Sequence, residues 1–260
     1  MILIFCQQTE DVSLKKAFEA NNDYYQGILL GKIKSIDIFI TNKEPFSDKP
    51  DYVTRFDSLL HVTTFISNRG TQKTIHTFTY KDNLLLKDEV SYLENVGKPF
   101  NKTTYKYDTY GRLLNKVYKS GKNTYLYEND TLKKIKHTYN TNEFENVTIY
   151  NYSHNKIEVV SYDSKNRMTL SRITIFDEVK RMVTVNKVNY NWVNWNEAGD
   201  TIRTSEIYKF DNIGNEIERD IPTDFRRTQY LTSDSKGNWT NKIIYTTTDT
   251  LKVRRSITYY

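Results

Sequence analysis

From Gln26 to the end of the chain, apolar and polar positions alternate with a period of two. That period belongs to strands with one face turned to a core. Ile36-Asp37-Ile38-Phe39-Ile40 is the first clear strand, and residues 44–50, with Pro45 and Pro50, read as a loop. Helical spacing occurs earlier, in Ser13-Leu14-Lys15-Lys16-Ala17-Phe18, where Leu14, Ala17 and Phe18 share a face and Ser13 is a suitable N-cap. The pattern predicts an N-terminal segment over residues 1–27 containing a short helix. A β domain over residues 28–260 follows.

Within the β region the chain repeats itself. The clearest copy is Tyr105-Lys106-Tyr107-Asp108-Thr109-Tyr110-Gly111-Arg112-Leu113. Tyr208 to Ile217, Val160 to Met168 and Thr232 to Trp239 carry the same order around Asp211, Asp163 and Asp234. Looser copies surround Asp57, Asp82, Asp130 and Asp177. Each clean copy is a hairpin written in turn chemistry. A strand ends, usually in an aromatic, and Asp follows, able to accept from backbone N–H groups two residues on. Gly or Asn, which tolerate positive φ, comes three residues after the Asp. A repeat of roughly 20–25 residues is one such hairpin plus its connection, and it cannot bury its face alone. The chain is therefore expected to be all-β, with degenerate hairpin repeats forming an extended, strongly twisted or curled antiparallel sheet.

Composition supports strands. Of the 260 residues, 14% are aromatic, with 21 Tyr and 12 Phe, a mixture that disordered chains lack. Tyrosine suits a half-buried sheet, because its ring packs while its hydroxyl stays hydrated. The formal charge of +6 is spread along the chain, as solvated strand faces and edges require. Nucleic acid is accordingly not expected as a partner.

Tyr105-x-Tyr107-Asp108-x-x-Gly111-Arg112-Leu113 resembles the YD-repeat, or RHS-repeat, family, and residues 235–260 resemble the ends of its short Bacteroidota members. The resemblance covers roughly residues 50–260. Long members of the family resemble shells around a C-terminal toxin. The resemblance implies repeat-built surface without catalysis. This chain is shorter and ends inside the repeat pattern.

Cys6 is the sole cysteine, so no disulfide framework or thiolate metal site exists. It ends the run Met1-Ile2-Leu3-Ile4-Phe5, which resembles the close of a lipoprotein signal, although the run is short and lacks basic residues. The expectation is a truncated export signal, with Cys6 a candidate for lipidation and an exported location: periplasm, outer membrane or extracellular. Membrane contact is expected only through that anchor.

Candidate chemistry is sparse. His61, His76, His137 and His154 form no metal-binding motif, and nucleophile elbows, P-loops and dinucleotide fingerprints are absent. The repeat aspartates are explained by turn capping, and calcium-loop spacing is missing. No cofactor, metal or catalytic residue is expected. The unusual local feature is Tyr190-Asn191-Trp192-Val193-Asn194-Trp195-Asn196. Its aromatics either fill a core or offer a stacking platform for ligand. Tyr190, Trp192 and Trp195 are the candidate ligand-binding residues. The leading expectation is a non-enzymatic secreted or envelope scaffold that binds glycan or an envelope protein. Alternatives are a shell fragment or accessory of an RHS-type toxin system, and a carboxylate-based glycoside hydrolase.

Overall fold

The structure is a computed structural model, and it describes residues 13–21, 29–42, 45–69, 71–140, 145–194 and 197–260. Among the described residues it holds one α-helix, α1 (Leu14–Asn21), a short 3-10 turn of helix at Leu93–Asn95, and eighteen strands. The first are β1 (Ile33–Thr41), β2 (Tyr52–Phe56), β3 (Val62–Ser67), β4 (Thr74–Lys81), β5 (Leu84–Tyr92) and β6 (Asn101–Tyr107). Next come β7 (Leu113–Tyr118), β8 (Gly121–Glu128), β9 (Thr131–Tyr139), β10 (Glu145–Ser153), β11 (Lys156–Tyr162) and β12 (Met168–Asp177). The last are β13 (Met182–Asn194), β14 (Glu197–Phe210), β15 (Glu216–Ile221), β16 (Asp224–Ser233), β17 (Trp239–Thr246) and β18 (Thr250–Tyr259).

All-β character is as expected, but the open, extended sheet is corrected. The eighteen strands belong to one sheet, and β1 is hydrogen-bonded on both sides, to β2 and to β18. Opposite Ile36 lie Ile257 and Thr54, and opposite Ile40 lies Val253. Closure through β1 satisfies backbone groups that an open edge would leave exposed. Repeat chemistry specifies each hairpin but is silent on whether first and last hairpins meet.

The chain forms two compact units. Unit 1 comprises residues 1–102, 178–182 and 208–260; unit 2 comprises residues 103–177 and 183–207. The core of unit 1 centres on an apolar cluster in which Leu29, Ile33, Ile36, Ile38, Phe56, Val62, Phe65, Phe78, Trp239 and Val253 are buried together. Helix α1 adds Leu14 and Ala17, both fully buried, and sets Phe18 edge-on to Tyr208 at 5.1 Å. Ser13 accepts from the Lys16 N–H at 3.4 Å, as a cap should, and the Glu178 carboxylate accepts from the Leu14 N–H at 3.0 and 3.1 Å. Unit 2 buries fewer apolar side chains, with Ile135, Val159, Phe176, Val183 and Val185 the most enclosed.

The aspartate turns recur with one geometry. In the turns starting at Asp57, Asp108, Asp163, Asp211 and Asp234, the Asp N–H donates to the carbonyl four residues on at 2.8–3.0 Å. One carboxylate oxygen accepts from the backbone N–H of that same residue at 2.8–3.0 Å. The residue three after the Asp has positive φ: Leu60, Gly111, Asn166, Gly214 and Gly237. The fifth position has its own task. His61, Arg112, Arg167 and Asn215 each hold the second carboxylate oxygen through the side chain, at 2.7–3.0 Å. Asp57 thus makes a full copy despite its sequence. Asp82 and Asp130 do not, because they sit in two-residue turns, Asp82-Asn83 and Asn129-Asp130, with both φ values positive. That is the tight hairpin type matched to strand twist.

Candidate functional site

Strand register in unit 2 collects polar side chains on one face. Asn123 lies opposite His137, Ile135 opposite Thr148, and Thr148 opposite Ser161. Alternation then brings Tyr125, Tyr150 and Val159 to the same face. These groups are joined across five neighbouring strands. The Tyr118 hydroxyl donates to Asn123 Oδ1 at 3.0 Å, and His137 Nδ1 lies 3.0 Å from the same oxygen. His137 Nε2 is 3.1 Å from Thr148 Oγ1, which is 3.0 Å from Ser161 Oγ. Since Asn123 Oδ1 accepts only, His137 Nδ1 carries the proton and Nε2 accepts from Thr148.

Burial pushes the His137 imidazolium down from its ordinary value, so the ring is held neutral. Burial also raises the phenols of Tyr107, Tyr118, Tyr125, Tyr127 and Tyr150, with repulsion among neighbouring tyrosines adding in most of them. The ladder itself is hydroxyl-bearing, uncharged and flanked by aromatic rings, with Arg172, opposite Val159, a charge beside it. Lys116 lies over the Tyr105 ring at 5.7 Å, and Tyr150 and Tyr152 stack at 6.4 Å.

The ladder leads to an open cleft of about 380 Å³ lined by Tyr139, Asn146, Asp163, Ser164, Lys165 and Arg167. Tyr139 lies two residues beyond His137 on β9, and Asn146 is the register partner of His137 on β10. Asp163, Ser164, Lys165 and Arg167 of the lining all belong to the Asp163 turn. Burial opposes ionisation there, yet Arg167 and the Arg167 and Lys165 N–H groups hold the carboxyl below its usual range. Arg167 in turn lies over the Trp192 ring at 5.0 Å, and Trp192 Nε1 donates to the Met168 carbonyl at 2.9 Å.

The candidate residues named from sequence fare unequally. Trp192 is half-buried in β13, with one face covered by Arg167, and Tyr190 is half-buried two residues earlier. Trp192 supports a cleft-lining residue and is not itself in the lining. Trp195 and Cys6 lie outside the described residues. Sequence reading missed Tyr139, Asn146 and the ladder from Tyr118 to Ser161. The signal was present in the period-two placement of Asn123 and Tyr125 and of His137 and Tyr139, but only register joins the strands.

His61 pairs with Asp57 and stacks on Tyr80 at 4.5 Å, while His76 Nδ1 lies 3.3 Å from Asp88. Each histidine-aspartate pair is thus part of a turn or sheet face. Among the described residues, no group of three metal-binding side chains occurs and no helix is long and apolar enough to cross a membrane.

No family model and no curated protein sequence matches the chain. Among solved structures, a porin-like protein from Bacteroides uniformis is similar over 87% of this chain and 98% of its own, at 12% identity and a TM-score of 0.44. A porin-like protein from Bacteroides vulgatus matches over 88% and 99%, at 12% identity and a TM-score of 0.33. A chain of the TcdB2-TccC3-Cdc42 structure matches over 83% of this chain and 13% of its own, at 13% identity and a TM-score of 0.35. None of the three supplies a residue role or a chemistry to this chain.

Proposed function

We propose that this chain is a non-enzymatic binding protein of the cell envelope or secreted space, and that its ligand is a glycan taken at the cleft of unit 2. The observation that carries the reading is the continuity between the cleft and the tyrosine-lined ladder. Sugars present hydroxyls and C–H faces, and they are recognised by neutral donors and acceptors set among aromatic rings. Tyr139 and Asn146, backed by His137 and Thr148, supply the ring and the neutral amide, and Asp163, Lys165 and Arg167 add charged groups to the same cleft. The repeat hairpins supply rigid strands to present it, as the resemblance to YD-repeat proteins also suggests.

The opposite face of unit 2 favours water over lipid. Lys122, Lys134 and Lys136 alternate there with Thr124, Leu126 and Thr138. A lysine turned to the middle of a bilayer costs about 2–4 kcal/mol. Attachment to an envelope would therefore run through a ligand or a lipidated Cys6.

The test is a glycan array probed with the intact chain and with Tyr139→Ala and Asn146→Ala. Tyr139 is 37% exposed, so its truncation leaves the fold intact, and circular dichroism verifies this. Selective binding to one glycan class, weakened at least tenfold in both variants, supports the reading. Equal binding by all three proteins, or by none, removes it. The native N-terminus, determined by mass spectrometry on cells, checks the location: a processed or diacylglyceryl Cys6 is expected, and an intact cytoplasmic Met1 overturns it.

A further inference from the structure

Unit 1 buries two cations that form no ion pair, with Glu216 and Asp234 acting on Lys242 and Arg255 only through the field. Lys242, on β17, is 6% exposed, and Arg255, on β18, is 2% exposed. Both lie against the buried Trp239 ring: Lys242 Nζ is 4.3 Å from its centroid and Arg255 Cζ 3.9 Å. Lys242 Nζ also lies 5.6 Å from the Tyr230 ring. Arg255 Nε donates to the Trp239 carbonyl at 2.9 Å, but Arg255 Nη1, Arg255 Nη2 and Trp239 Nε1 are all buried without an acceptor. A buried donor left unpaired costs about 1–3 kcal/mol, more when charged, so such groups in native proteins call for an explanation.

The neighbouring acids are already engaged. Glu216 on β15 is held by Arg219 through two bonds, at 3.1 and 2.7 Å. Asp234 accepts from the Lys236 and Asn238 N–H groups and from the Tyr259 hydroxyl. The Tyr230 hydroxyl donates to the Glu216 carbonyl at 3.0 Å. Aromatic faces attract cations but accept no ordinary hydrogen bond from three donors at once. The cluster therefore has surplus positive charge and surplus N–H donors, both pointing to the same kind of partner.

We propose that Lys242, Arg255 and Trp239 form a buried binding site in unit 1 for a small oxyanion, of the size and charge of sulfate or phosphate. An oxyanion would accept from the forked Arg255 donors, with the Lys242 ammonium and the indole N–H of the same aromatic cluster as its further partners. This site is independent of the glycan cleft and stands on different residues.

Sulfate is the suitable probe, because its charge is constant across the pH range of a protein experiment. Isothermal titration of the intact chain with sodium sulfate at pH 6, at fixed ionic strength, is expected to give one saturable site. Thermal midpoints should rise over the same millimolar range, below the concentrations at which sulfate stabilises proteins by surface exclusion. Lys242→Met should weaken binding at least tenfold while remaining folded, and Arg255→Lys should weaken it by removing the forked donors. Affinity should fall by pH 9, when Lys242, which also feels Arg255, Glu216 and Arg219, has lost its proton. No saturable site in the wild-type chain, or equal affinity in Lys242→Met, overturns the proposal and leaves the donors to water.

Discussion

In unit 1 the enclosed positions across β1, β2 and β3 are Ile36, Ile38, Phe56, Val62 and Phe65. In unit 2 the corresponding face across β8 to β11 is Asn123, Tyr125, Ile135, His137, Thr148 and Ser161. Both faces are built from the same kind of antiparallel hairpins, and two of the aspartate turns, at Asp57 and Asp108, have matching bonds. The turn chemistry therefore sets strand connection, and the alternate side chains independently set what the face does. Unit 1 gains its stability by removing apolar area from water, roughly 25 cal/mol per Å². Unit 2 instead depends on satisfying each buried polar group, a condition that fails sharply when one member is removed.

The widest separation between the units should come from truncating their apolar centres. Ile38→Ala removes a side chain that is 1% exposed within the apolar cluster, and a loss of about 2–5 kcal/mol is expected in urea unfolding. Ile135→Ala in unit 2 removes a side chain flanked by Tyr125 and Thr148, and should cost less because polar neighbours tolerate a water in the space. Equal losses at the two positions would mean that the polar face is as dry as the core.

The buried cations of unit 1 give the comparison a pH axis. Burial lowers Lys242 to about 7 in the fold, with repulsion from Arg255 adding, whereas its ordinary value is 10.5. Between these values the unfolded chain holds more protons, so stability rises as pH increases from about 7 towards 10. The slope attributable to one such group is at most about 1.4 kcal/mol per pH unit. Lys242→Met should flatten that rise and be neutral or stabilising at pH 7. Above pH 10 the trend reverses, since Tyr259 is raised to about 12 and the unfolded tyrosines ionise first. A wild-type curve that is flat from pH 7 to 9 would contradict the burial of the Lys242 ammonium.

Much of the fold was legible because it is local. Period-two alternation located the strands, Ser13 and Leu14, Ala17 and Phe18 located α1, and Asp with Gly located the turns. Non-local facts were not legible. Closure of β1 onto β18 depends on pairing between residues such as Ile38 and Arg255, which no local pattern announces. The fifth residue of each turn, His61, Arg112, Arg167 or Asn215, shares no single residue type, and its part in the turn shows only in its bond to the second Asp oxygen. Of the site, the sequence marked Trp192 as unusual but hid its link through Arg167 to the cleft. Tyr139 and Asn146 were unremarkable among many Tyr and Asn residues, because what distinguishes them is convergence.

The ladder of unit 2 can be probed by position within it. Thr148 sits in its middle and is 8% exposed; Thr148→Val preserves shape but leaves His137 Nε2 and Ser161 Oγ without their shared partner. A loss of about 1–3 kcal/mol is expected. Ser161→Ala, at the end, removes one bond and should cost about 1 kcal/mol or less. If the two variants lose the same amount, the groups act separately rather than as a chain, and the double variant decides it: coupled members give a non-additive sum.

The smallest effect should come from exchanging one residue between matching turns. Leu60 in unit 1 occupies the place held by Gly111 in unit 2, with φ values of 68° and 77°. A left-handed backbone costs an L-residue roughly 1–2 kcal/mol relative to an unstrained one, and glycine avoids that clash. Glycine also loses more chain entropy on folding, so the net gain from Leu60→Gly is expected to be below about 1 kcal/mol. Leu60 is half-buried, and any packing it makes is forfeited as well. Gly111→Leu should move in the other direction by a larger amount, since it adds the strain without a prepared contact. A stabilised Leu60→Gly with a destabilised Gly111→Leu would mean that both units obey the same turn rule. A Leu60→Gly variant that is less stable than wild type would mean that unit 1 has recruited even its turn into the apolar core, and that the two units differ in their hairpins as well as in their faces.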